Sequence, residues 1–135
     1  MRVESHDART TQDLAILRAT HVHALLVGPP VAVEAAIETL RLDLRQPVVT
    51  WTPTETPHPP VLTSGTLIVR NLAALEREQQ RWFLEWMDQG DGRVQIISTS
   101  GRHVWSLVER GAFLKPLYYR LGVVYVDLND ASADV

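Results

Sequence analysis

The sequence contains no cysteine, which removes disulfides, thiolate nucleophiles and cysteine-ligated zinc or iron–sulfur centres from consideration. Its apolar runs fall far short of the roughly 20 residues that a membrane-spanning helix needs. The opening stretch MRVESHDARTTQD lacks the apolar segment of a signal peptide. Charge of either sign is also scarce in excess: 13 Lys+Arg against 16 Asp+Glu give a net charge of −3, so no overall field draws the chain to phosphate backbones. Neither a basic stripe nor a helix-turn-helix pattern is present, and direct nucleic-acid binding is not expected. No internal repeat is visible. What remains is 135 residues, 45% of them hydrophobic and 21% charged. That is ordinary usage for one domain with a core of its own, expected to be soluble and cytoplasmic.

Residues 1–12 are polar and read as a flexible lead-in, followed by a single domain over 13–130 and a short tail at 131–135. Asp13 is a candidate cap for a short helix carrying Leu14, Ile16 and Leu17. His23-Ala24-Leu25-Leu26-Val27 reads as a buried strand closed by the turn Gly28-Pro29-Pro30. Residues 31–45 then place Val33, Ala36, Ile37, Leu40 and Leu44 at helical spacing, with Pro30 at the favoured start.

Val48 to Trp51 form a second strand by pattern, and 52–60 hold four of the eight prolines, which excludes a helix there and predicts an extended surface loop. Thr66-Leu67-Ile68-Val69 is a third strand, and the stripe Leu72, Leu75, Gln79, Trp82, Phe83, Trp86, Met87 predicts a helix stopped at 88–92. A fourth strand over 94–98, a short helix over 104–111 and a fifth strand over 123–127 complete the pattern. Short apolar strands alternating with helices predict an α/β fold: a three-layer sandwich around a parallel sheet.

Several stretches resemble the AAA+ ATPase domain of bacterial enhancer-binding proteins, the activators of sigma-54 RNA polymerase. Gly65-Thr66-Leu67-Ile68-Val69-Arg70-Asn71-Leu72 is similar to that family's Walker B segment G-T-L-F-L-D-E. The likeness runs on through Leu75, Glu78, Gln80, Phe83, Leu84 and Met87 to Gly90. Residues 94–100 (VQIISTS) resemble its sensor I strand, and 111–121 (GAFLKPLYYRL) resemble its G-x-F-R-x-D-L-Y-Y-R-L segment. The resemblance implies a P-loop NTPase/AAA+ core with five parallel strands in the order 5-1-4-3-2.

Phosphoryl transfer by this family needs a lysine on the phosphates and carboxylates near magnesium. The positions aligned with G-x-x-x-x-G-K-[ST] here begin Gly28, Pro29, Pro30 and end Val33, Glu34, Ala35. An anion stands where the lysine belongs, no hydroxyl follows it, and two prolines delete N–H donors. The Walker B acids fall on Arg70 and Asn71, and sensor I asparagine on Ser100 with Thr99 beside it. Arg70 cannot ligate a cation or accept a proton. Glu34 and Arg70, with polarity reversed, could pair across the former phosphate site, the competing reading being two separately solvated charges. ATP and magnesium binding is therefore not expected, and the domain reads as a pseudo-ATPase without cofactor.

Two further parts of the family pattern have no counterpart in these residues: the G-A-F-T-G-A loop, whose place is taken by 52–63, and the helical lid that follows the fifth strand. The expected role is protein binding or self-association in transcription or signalling. Trp82 and Trp86 on the predicted third helix, with Tyr118, Tyr119 and Arg120 in the last family segment, are the interface candidates. The competing reading keeps residual ATP binding, with Arg120 reaching a neighbour's nucleotide as an arginine finger. His21 and His23 share one strand face and could ligate metal, but two ligands are too few, no third is placed, and no metal site is expected. The loop 52–60 could also lie in polyproline II conformation and dock on a partner. The serines show no nucleophile-elbow or triad context.

Overall fold

A computed structural model describes residues 2–90 and 92–129, with side chains described from Thr10 onward. The elements run α1 (Arg2–Thr20), β1 (Ala24–Val27), α2 (Pro30–Leu40), β2 (Val48–Trp51), β3 (Gly65–Val69), α3 (Arg77–Gln89), β4 (Val94–Ser100), α4 (Trp105–Glu109), α5 (Lys115–Leu121) and β5 (Val124–Asp127). All ladders are parallel, in the order β2-β3-β4-β1-β5. That is the expected order read from the opposite edge.

Alternation along the strands builds both cores, because successive side chains leave opposite faces of a sheet. Ala24 and Leu26 of β1 pack with Leu14 and Leu17 of α1 and with Val33, Ile37 and Leu40 of α2. Leu25 and Val27 face the other way, toward Phe83 of α3, Phe113, and Leu117 and Leu121 of α5. Both faces of the sheet are covered, which is why β1 and β3 are buried without interruption.

Several boundaries differ from the sequence expectation. The first helix begins at Arg2 rather than being capped at Asp13, so the polar lead-in is helical and Asp13 sits mid-helix. Residues 131–135 lie outside the described residues. Leu72 and Leu75 precede α3: a 3-10 turn over Leu72–Ala74 and the extended Leu75 bring the chain to a cap at Glu76. Asn71, in left-handed conformation, starts that turn, and such backbone suits asparagine better than most residues. Residues 115–121, read only as a family segment, form a helix with Pro116 in its first turn.

One buried side chain ties the family-like segments together. Gln80 of α3 donates to Leu75 O at 3.0 Å and Ala112 O at 3.1 Å, and accepts from Leu114 N at 2.8 Å. All three contacts hold backbone groups that no regular element satisfies. Arg77 adds a hydrogen bond to Gly111 O. The proline loop is fastened in the same way: Trp51 Nε1 donates to Thr56 O at 2.7 Å and Gln79 Nε2 to Pro57 O at 3.0 Å.

Candidate functional site

The ends of β1, β3 and β4 meet the start of α2 at the carboxyl edge of the sheet, where open α/β folds hold ligands. A cleft of about 270 Å³ lies there. Gly28, Pro30, Glu34, Arg70, Asn71, Thr99 and Ser100 all line it, so most of the residues singled out from the sequence come together in one place. Pro29 and Ala35 are exposed and outside that lining. A second depression of about 480 Å³ adjoins it along Asn71, Ala73, Ala74 and Gly101, and carries Arg102.

Within the cleft the reversed charges face each other. Arg70 Nη1 bonds Glu34 Oε2, and Nη2 reaches Glu34 Oε1 at 3.2 Å. This two-pronged contact matches the flat fork of a guanidinium to a carboxylate. Glu34 is 54% exposed and Arg70 25% exposed, so the pair contributes about 1 kcal/mol or less to stability. Its chemical consequence is larger. Arg70 is the one cation among the described lining residues, and its donors are turned toward an anion of the same chain.

The remaining positions are taken up by local structure. Thr99 Oγ1 accepts the Asn71 N–H at 3.3 Å, and Ser100 Oγ donates to Arg102 O at 2.5 Å. The Gly28 N–H goes to Ser100 O at 3.0 Å, and the Leu128 N–H to Val27 O at 2.6 Å. A Cβ built on Gly28 would lie 2.8 Å from Leu128 Cβ and 2.9 Å from its carbonyl carbon. Gly28 is thus required by the chain leaving β5. A curl around phosphate is not needed to explain it. At the start of α2, Pro29 caps without a side-chain hydrogen bond and Val33 N donates to Pro29 O at 3.0 Å. Two prolines leave that helix start short of N–H donors.

The histidines do not form the metal pair considered from the sequence. Both precede β1; His21, in left-handed conformation, places Nε2 3.1 Å from Asp43 O, while His23 Nδ1 accepts the Ile96 N–H at 3.0 Å. Burial, and secondarily the Arg120 charge, hold the His23 pKa below the ordinary histidine value.

The interface candidates separate into two aromatic groups. Trp82 and Trp86 stack 5.9 Å apart with rings 10° from parallel, Trp86 half-buried and Trp82 41% exposed. Tyr118 and Tyr119 gather instead around Trp105 of α4, at 5.4 and 6.2 Å. Burial, then Tyr119, raises the Tyr118 pKa. Arg120 bonds Asp88 at the end of α3. Sequence reasoning missed a further feature: the proline loop folds against the start of α3 and encloses a cavity of about 280 Å³ beside Trp51 and Trp82. Its only signal was a tryptophan at the head of the proline-rich loop.

The sequence matches the family described as the sigma-54 interaction domain over residues 49–130. The chain belongs to that family. A search of curated proteins gives no match. Among solved structures, the P-loop NTPase domain of a sigma-54 transport activator from E. coli superposes with a TM-score of 0.75 at 20% identity, covering 94% of this chain and 98% of that one. NtrX from Brucella abortus, in complex with ATP, gives 0.69 at 22% identity over 92% of this chain. This sigma-54 interaction domain spans only 37% of that NtrX chain. RuvB T158V from Thermotoga maritima is more distant, with a TM-score of 0.57 at 15% identity over 93% of this chain and 44% of that one. These likenesses establish the P-loop NTPase/AAA+ fold. Among the described residues no helix is long and apolar enough to cross a membrane.

Proposed function

We propose that this domain has lost nucleotide hydrolysis and acts by binding protein, as a regulatory module in sigma-54-type transcription or signalling. The observation that carries the reading is the Glu34–Arg70 pair, which joins the two sites where the family's chemistry wants a lysine and an acid. An arriving triphosphate would meet a carboxylate in place of an ammonium, and its magnesium would meet a guanidinium. Undoing the pair would strip Arg70 of its anion before any phosphate contact formed. The module would then work through its preserved scaffold and its exposed aromatic surfaces, with a protein partner or a second copy of the chain.

Thermal unfolding with and without magnesium ATP tests this. Ligand at 100 times its dissociation constant would stabilise the fold by about 2.7 kcal/mol. No shift and no phosphate release are expected. A clear shift overturns the expectation that nucleotide is not bound, phosphate release overturns the reading itself, and turnover that disappears in Arg120→Ala would establish the finger-assisted ATPase in its place.

A further inference from the structure

We infer that the cavity between the proline loop and α3 is a recognition pocket for an arginine side chain carried by a partner protein. This names the partner chemistry of the proposed protein-binding role and rests on that role. The cavity measures about 280 Å³, room for one long side chain. The exposed Trp82 supplies the aromatic surface, Trp51 being buried in the core, and Pro57 and Pro59 form the loop wall with His58 between them.

The hydrogen-bonding groups decide the ligand's sign. Trp51 Nε1 is spent on Thr56 O, and Gln79 Nε2 on Pro57 O. Gln79 Oε1 is likewise occupied by the Glu76 N–H at 2.8 Å. The Glu76 side chain accepts the Gln79 backbone N–H as the cap of α3, which leaves the exposed Glu78 carboxylate at the rim as the acceptor. Acceptors beside an aromatic face select a cationic donor and disfavour anions. A planar guanidinium fits best, because it stacks on indole while its edge reaches a carboxylate. Elsewhere the chain makes such a contact for itself: Lys115 Nζ lies 5.9 Å from the Trp105 ring centre.

The test titrates acetyl-Gly-Gly-Arg-Gly-Gly-amide into the whole chain while following the tryptophan indole resonances, with lysine and glutamine peptides alongside. One cation–π contact and a rim ion pair predict dissociation constants of order millimolar for the arginine peptide. The lysine peptide should bind several-fold more weakly, and the glutamine peptide should leave the indole signals unmoved. Trp82→Leu should abolish the response and Glu78→Gln weaken it several-fold, in proteins shown by circular dichroism to be folded. Silence with the arginine peptide, parity among the three peptides, or an unchanged affinity in Trp82→Leu overturns the assignment. ATP turnover with the arginine response intact would sink only the non-catalytic reading. A silent peptide titration without ATP binding would sink only the pocket.

Discussion

Two regions of this domain carry the family pattern in opposite ways. Between α3 and the 111–121 segment, residues matching the family fill structural posts: Gln80 bridges three backbone groups, and Phe83 sits buried with its ring edge-on to Trp51 at 6.1 Å. At the carboxyl edge of the sheet, the positions aligned with the family's catalytic residues carry Glu34 and Arg70, which bond each other. The contrast teaches that fold and chemistry rest on different side chains. Burial and backbone hydrogen bonding hold the first region in place whatever happens in the cleft, while exposed groups in the cleft can reverse charge at little cost in stability.

Removing core volume should produce the largest effect. Phe83→Ala is expected to destabilise by about 3–5 kcal/mol in urea unfolding, since the site is walled by Trp51, Trp86 and Leu75 and collapses poorly. Gln80→Leu should cost about 2–3 kcal/mol, because it strands the Leu114 N–H and two carbonyls in the interior. A loss below half a kilocalorie there would erase the proposed difference between the regions. Gly28→Ala lies on the border. Crowding by Leu128 predicts a loss of about 1–3 kcal/mol without any nucleotide present. Unchanged stability would mean the glycine serves something other than packing.

The pH dependence of unfolding is smaller. His23 has a folded pKa below its unfolded value, so the unfolded chain takes up the proton first as pH falls. Stability should be full above pH about 6.5 and decline below it, by at most about 1.4 kcal/mol per pH unit for one proton. Protonation also removes the Nδ1 acceptor of the Ile96 N–H. The decline should flatten in His23→Gln, measured as urea midpoints at pH 7.5 and 5.5. The smallest change belongs to the cleft: Glu34→Gln should cost about 1 kcal/mol or less. Combining Glu34→Lys with Arg70→Asp keeps an ion pair while restoring the family's polarity, and should leave the unfolding midpoint near wild type. If that double variant gains a magnesium-ATP-dependent shift, charge alone had closed the pocket. If it does not, the prolines and the missing hydroxyl suffice.

Much of the fold was legible beforehand because strand and helix periodicity report burial, which is a local property of each side chain's position. The strand order followed from family resemblance, and the sheet reproduces it. The start of α3 was misplaced because Leu72 and Leu75 are buried from a 3-10 turn and an extended residue, so their spacing mimicked a helix. The extent of α1 was missed because its first turns are polar. In the cleft, Glu34 and Arg70 could be paired from aligned motifs, being residues 36 apart in sequence that one ion pair unites. The proline-loop cavity left no such trace, since no motif marks it.

The sequence alone determined the layered α/β scaffold and set Glu34 and Arg70 at positions aligned with the family's phosphate site, because apolar periodicity and residue identity survive without coordinates. Only the tertiary structure decided which donors were already spent: the indole of Trp51, the amides of Gln79 and Gln80, and the guanidiniums of Arg70 and Arg120. Hydrogen bonds between distant segments depend on where the folded backbone places them, and a donor's availability to a ligand is fixed by that placement.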